Sequence, residues 1–237
     1  IGAKSVTSLE IPAEMEELGQ GSFAVHKMDG LRACVVDPSN PNFSSVNGFL
    51  CDKSGKHLIC CPCATSATAL PSGLTSIGRY ALSTSPTALL RDIEIGASIT
   101  NIEDGAFHGC QSLKSVRFNA SVATLPYEVF CGCKFLSKVD IRSSITNVDV
   151  YAFWGCESLE DIRLPPSVTV LGNDAFLKCK SLREIELPEG LRKIGYSAFS
   201  KCDSLVSVKI PKTVGPLPLI MEKLLPWRRM AALIGTR

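Results

Sequence analysis

The chain has 237 residues, 45% hydrophobic and 20% charged, the balance of a folded globular chain and not of a disordered or membrane-embedded one. Its 25 Lys and Arg against 23 Asp and Glu leave a formal charge of +2, so no long-range field recommends nucleic acid or an anionic membrane as partner. Eleven cysteines are many for a chain this size but odd in number, which argues against a complete disulfide framework.

The chain begins at Ile1 with no signal-type apolar run and reads as a processed or excised piece. Val6, Leu9 and Ile11 close a first apolar unit, and Met15, Leu18, Phe23, Leu31, Cys34 and Val36 run through a second, with a two-residue insertion. Residues 37–70 then break the pattern. They open on Asp37-Pro38-Ser39-Asn40-Pro41-Asn42, a run of turn formers. Phe49-Leu50-Cys51 and His57-Leu58-Ile59 flank Asp52-Lys53-Ser54-Gly55, which predicts a hairpin that protrudes from, or caps, one edge.

From Leu74 the pattern returns, with Leu74, Ile77, Ala81 and Leu82 matching Ile99, Ile102, Ala106 and Phe107 after two extra residues. The repeat then becomes strict. Cys110, Cys133, Cys156, Cys179 and Cys202 stand 23 residues apart, each with a Phe three residues before it and a Leu three residues after it. Further columns are Val116, Val139, Ile162, Ile185, Val208 and Phe118, Ile141, Leu164, Leu187, Ile210. The alternation around them predicts one short strand per period with one buried face. Pro165, Pro188 and Pro211 follow three of these strands and keep them short. One such unit cannot bury its apolar face alone, so units must stack as in-register parallel strands of a solenoid. Turns and short irregular or helical segments are expected on the other side.

Past Gly215 the period is lost, but Leu217, Ile220, Met221, Leu224 and Leu225 keep a helical stripe until Pro226, which suits a helix covering the solenoid end. The expected organisation is therefore one solenoid over residues 1–214 and a cap or tail over 215–237. Glu222, Lys223, Arg228 and Arg229 exclude a membrane span there. Trp227 beside the two arginines leaves an interfacial membrane anchor as the alternative.

The unit resembles the BspA-like leucine-rich repeat, roughly Leu-x-x-Ile-x-Ile-Pro-x-x-Val-x-x-Ile-Gly-x-x-Ala-Phe-x-x-Cys, which Leu182 to Cys202 follow almost position for position. Ser85 and His26 stand where the pattern asks for Cys. The resemblance implies a leucine-rich-repeat-like horseshoe or extended solenoid of surface-exposed or secreted proteins. Related chains act in adhesion to host matrix proteins and to other cells. On that basis the expected partner is a protein or glycan ligand, the expected location the cell surface or outside it, and the expected state a monomer. A structural spacer module and an intracellular interaction scaffold are the alternatives, the second favoured by unpaired thiols.

Catalysis finds little support. The three histidines are His26, His57 and His108, none with a Ser or Cys partner by pattern, and no phosphate-cradling glycine motif occurs. No cofactor or metal is expected. Cys51, His57, Cys60, Cys61 and Cys63 cluster within thirteen residues, but a second Cys or His pair is missing, so packing within the hairpin is favoured over zinc or a disulfide. The five repeat cysteines read as buried, inert thiols.

Binding is expected on the outward strand positions. One column is Glu94, Arg117, Asp140, Arg163, Glu186 and Lys209, with alternating sign; its neighbour is Asp92, Ser115, Lys138, Asp161, Glu184 and Ser207. Opposite charges about 4.8 Å apart on adjacent strands form a ladder, and the same face offers a polar recognition surface. The candidate contact residues are Arg117, Lys138, Asp140, Asp161, Arg163, Glu184, Glu186 and Lys209. A second column, His108, Cys131, Trp154, Leu177 and Ser200, varies in a way that points to exposure. Trp154 within it is a candidate anchor at the turn edge.

Overall fold

The computed structural model describes residues 6–18, 31–62, 69–83 and 90–211. The C-terminal stripe from Leu217, with Trp227, as well as Phe23, His26, Cys63 and Ser85, lie outside the described residues. Among the described residues the structure is a parallel β-solenoid.

The N-terminal coils contribute β1 (Ser8–Ile11) and β2 (Ala33–Val36). These pair in parallel, Leu9 opposite Cys34 and Ile11 opposite Val36, as the two-residue insertion requires. The insertion holds β3 (Phe43–Val46), β4 (Phe49–Asp52) and β5 (His57–Cys60), successively antiparallel. The first turn is made by Asn47 and Gly48, both at positive φ, the pairing that two-residue hairpins favour. Along the main body, longer strands β7 (Asp92–Ile95), β9 (Ser115–Phe118), β11 (Lys138–Ile141), β13 (Asp161–Arg163), β15 (Glu184–Glu186) and β17 (Ser207–Lys209) alternate with two-residue strands. The latter are β6 (Ser76–Ile77), β8 (Asn101–Ile102), β10 (Thr124–Leu125), β12 (Asn147–Val148), β14 (Val170–Leu171) and β16 (Lys193–Ile194). They add a second strand column to the one read from the sequence.

The register is that of the repeat. Val116, Val139 and Ile162 sit side by side, as do Leu125, Val148, Leu171 and Ile194. Inside, the rings of Phe107, Phe130, Phe153, Phe176 and Phe199 stack coil on coil, with centroids 5.1–5.5 Å apart. Burying each such side chain stabilises the fold by about 1.5–3 kcal/mol, and offset stacking adds about 0.5–1.5 kcal/mol per pair.

The remaining side of each coil is built from turns, and no helix occurs among the described residues. The cause is local. In five described coils two residues four apart are left-handed: Gly105 and Gly109, Glu128 and Gly132, Tyr151 and Gly155, Asp174 and Lys178, Ser197 and Lys201. A helix cannot pass through such positions. Close coil contact adds a second constraint at Gly195, where a Cβ would collide with the backbone of Gly172 and Asn173.

The hairpin does not protrude. Phe49, Cys51 and Leu58 belong to the main core, whereas Leu50 and Cys60 join Ile11, Leu31, Cys34 and Phe43 in a second cluster. Three consecutive apolar residues give β4 two buried faces, so it becomes a partition between the N-terminal coils and the main solenoid. Its partner β5 continues in parallel into β6 and β8. The polar start of the insertion is fixed by Asn40, fully buried. Its amide donates to the carbonyls of Pro12 and Met15 at 2.7 and 3.1 Å, and its Oδ1 accepts from the N–H groups of Asn42 and Phe43.

Candidate functional site

The outward strand positions form one charged face. Arg117 pairs with Glu94 at 3.3 Å, Lys209 with Glu186 at 3.2 Å, and Lys138 with Asp161 at 4.0 Å. The ladder is incomplete, because Asp140 turns to Arg142, two residues on and just past the end of β11, at 2.8 Å. All these side chains are more than a third exposed, so each pair contributes at most about 0–1 kcal/mol. Arg163 makes no ion pair with any described residue.

The longer strands form two sheets. Strands β7, β9, β11 and β13 make one, β15 and β17 another, and no ladder joins β13 to β15. At that junction the repeat places Asp161 beside Glu184, the one step of its column where like charges meet, and like charges on adjacent strands oppose pairing. Pro165-Pro166 and Pro188 follow there and stop the strands one residue early.

An open depression of about 590 Å³ lies over this break. Its charged lining is Asp161, Glu184, Glu186 and Glu189 against the single Arg163, and its buried apolar lining is Ile162, Leu164, Ile185 and Leu187, with Pro166 and Pro188 beside them. Two further depressions adjoin it, of about 540 and 220 Å³, and Arg163 lines all three. Of the residues singled out from sequence, Lys138, Asp140, Asp161, Arg163, Glu184 and Glu186 are thus brought together, while Arg117 and Lys209 lie further along the same face. Sequence reading missed the break itself, although the Asp161–Glu184 step was visible.

Trp154 is placed elsewhere, on the turn side and half-buried. The ammonium of Lys178 lies 4.6 Å from its ring centroid, a cation–π contact between adjacent coils. Its column is not an exposed one: Cys131 is buried, and His108, Leu177 and Ser200 are partly so.

All ten described cysteines are buried, and no disulfide joins any two of them. Cys110, Cys133, Cys156, Cys179 and Cys202 donate to the carbonyls of Leu82, Phe107, Phe130, Phe153 and Phe176 at 2.7–3.3 Å. Burial raises the Cys133, Cys156 and Cys179 thiols above their ordinary range, the reverse of what a nucleophile needs. In the hairpin, Cys51 is pushed up to about 12 by burial and then by Asp52, and His57 Nδ1 is engaged with Ser76 Oγ at 2.9 Å.

The family model for the BspA type leucine-rich repeat region matches residues 59–183 and 146–218, in six copies. The chain belongs to the BspA-type leucine-rich-repeat family. Its solenoid is similar to that of a leucine-rich repeat protein from Eubacterium ventriosum, with 23% identity and a TM-score of 0.67 over 90% of this chain and 61% of that one. A leucine rich cell surface protein from Faecalibacterium prausnitzii gives 25% identity and a TM-score of 0.61, covering 86% of this chain and 47% of that one. The pneumococcal vaccine antigen PcpA gives 18% and 0.54, covering 88% and 50%. The BspA-type chain thus spans roughly half to three fifths of these proteins. No curated protein matches it significantly. Among its described residues no helix is long and apolar enough to cross a membrane.

Proposed function

We propose that the chain is a non-catalytic binding module that engages a protein or glycan ligand through its outward strand face, in adhesion at a cell surface. The observation that carries this reading is the depression over the β13–β15 break, where Arg163 faces several carboxylates above a buried apolar lining. A site with four acids and one base attracts ligands rich in hydrogen-bond donors, sugar hydroxyls or Lys and Arg side chains, and repels polyanions. The F. prausnitzii relative, described as a cell surface protein, supports the location. Thiols raised by burial above their ordinary range speak against a cysteine nucleophile.

Binding of the protein to immobilised extracellular-matrix proteins, whole cells and neutral glycans tests the proposal. Saturable binding is the expected result, reversed by raised salt where the ligand is a basic protein and insensitive to it where the ligand is a neutral glycan. No binding to any member would favour a spacer role within a longer protein.

A further inference from the structure

A second constellation lies on the turn side, away from the strand face. His108, Glu128 and Cys131 each offer one ligand atom, and these three atoms lie within 4.8 Å of one another. His108 Nδ1 stands 3.2 Å from Glu128 Oε2. The Tyr80 hydroxyl donates to the same oxygen at 3.2 Å, and the Tyr80 ring meets the His108 ring edge-on at 5.7 Å.

The repeat builds this arrangement. His108 and Cys131 share one column in adjacent coils, and Tyr80, Gly105 and Glu128 share another. Gly105 lacks the side chain that would fill the slot between its neighbours: a Cβ there would collide with the Tyr80 ring. Tyr80 therefore reaches across an entire coil to Glu128. The backbone is held from several sides, as the N–H groups of His108, Glu128 and Cys131 donate to the carbonyls of Gly105, Val150 and Glu128.

From this geometry we infer that His108, Glu128 and Cys131 form a binding site for a zinc-type divalent cation that clips successive coils together. An imidazole nitrogen, a carboxylate oxygen and a thiolate are the donors zinc takes, and calcium or magnesium would not select the thiol. Tetrahedral zinc sets such atoms about 3.3–3.6 Å apart, so small side-chain adjustments close the site. Solvent supplies the fourth ligand, because the His108 and Glu128 side chains remain 25% and 18% exposed. Tyr80 fixes the carboxylate from outside, as partners of metal ligands do. The Cys131 thiol makes no hydrogen bond with any described residue, although its backbone is bonded on both sides. Its thiol proton passes to solvent as the metal–sulfur bond forms, so binding one cation releases one proton.

Cobalt(II) titration of the reduced full chain tests the inference. A thiolate-to-cobalt charge-transfer band should grow to one equivalent, carry tetrahedral visible bands, and vanish on addition of zinc. Cys131→Ser should abolish it, and His108→Ala and Glu128→Gln should each weaken cobalt binding by roughly tenfold or more. The last two side chains are partly exposed, so they decide the matter if Cys131→Ser fails to fold. No band in the reduced protein overturns the inference. So does a band that survives these substitutions, which would place the metal at other thiols.

Discussion

The thiol of Cys156 donates to the carbonyl of Phe130, 26 residues earlier, at 3.2 Å. The ring of that same Phe130 stacks on Phe153, three residues before Cys156. Cysteine and phenylalanine in the repeat thus act as one device: the ring fills the core, and the next coil's thiol satisfies the carbonyl turned inward beside it.

Replacement of Cys156 by Ala should cost on the order of 1–2 kcal/mol, from lost packing and one lost donor, read as a shift in the urea midpoint at unchanged slope. Thiol reagents should leave Cys133, Cys156 and Cys179 unmodified in the native protein. Rapid modification of all three without unfolding would contradict the core assignment.

These buried thiols also set an alkaline limit. Burial raises Cys156 and Cys179, and burial followed by Asp52 takes Cys51 up to about 12, whereas in the unfolded chain they ionise near about 8.5. Between those values the folded state holds more protons. Their stabilisation is complete below about pH 8.5 and is lost as pH climbs towards the folded values. Urea unfolding at about pH 7 and about pH 10 should show the fall, and Cys179→Ala should lessen it.

Much of this was legible in the sequence because a strict period turns columns of residues into spatial neighbours: the Phe stack, the Cys column and the strand register all follow from 23-residue spacing. What periodicity could not give is what differs between coils. The empty slot at Gly105 acquires meaning only once Tyr80 is seen filling it. The two buried faces of β4 depend on coils before and behind it, and the ladder break at β13–β15 depends on a like-charge step weighed against backbone pairing.

Gly105 and Tyr80 should accordingly be coupled. Gly105→Ala alone places a methyl against the Tyr80 ring and strains a residue at φ 64°, costing roughly 2–3 kcal/mol. With Tyr80→Ala also present the steric part disappears, so the double substitution should cost less than the two singles summed by about 1 kcal/mol. Thermal or urea unfolding of the four proteins in the cycle measures it.

Asn40 is the polar counterpart of the core residues. Asn40→Ala removes an amide bonded on both ends to Pro12, Met15, Asn42 and Phe43 and leaves buried groups unpaired, at a cost of about 2–3 kcal/mol. Amide hydrogen exchange should show the loss concentrated where the N-terminal coils meet the hairpin. Uniform loosening would contradict that placement.

The most direct test of the account is whether ligand recognition runs through the strand face. Surface plasmon resonance against whichever matrix protein or glycan binds should compare the native chain, Trp154→Ala, and the charge-preserving double reversal Arg163→Glu with Glu186→Arg. The expected result is a loss of tenfold or more, about 1.4 kcal/mol, with the reversal, and less than threefold with Trp154→Ala. Binding that survives the reversal within threefold, or falls only with Trp154→Ala, would contradict the account and move the ligand to the turn edge or the hairpin.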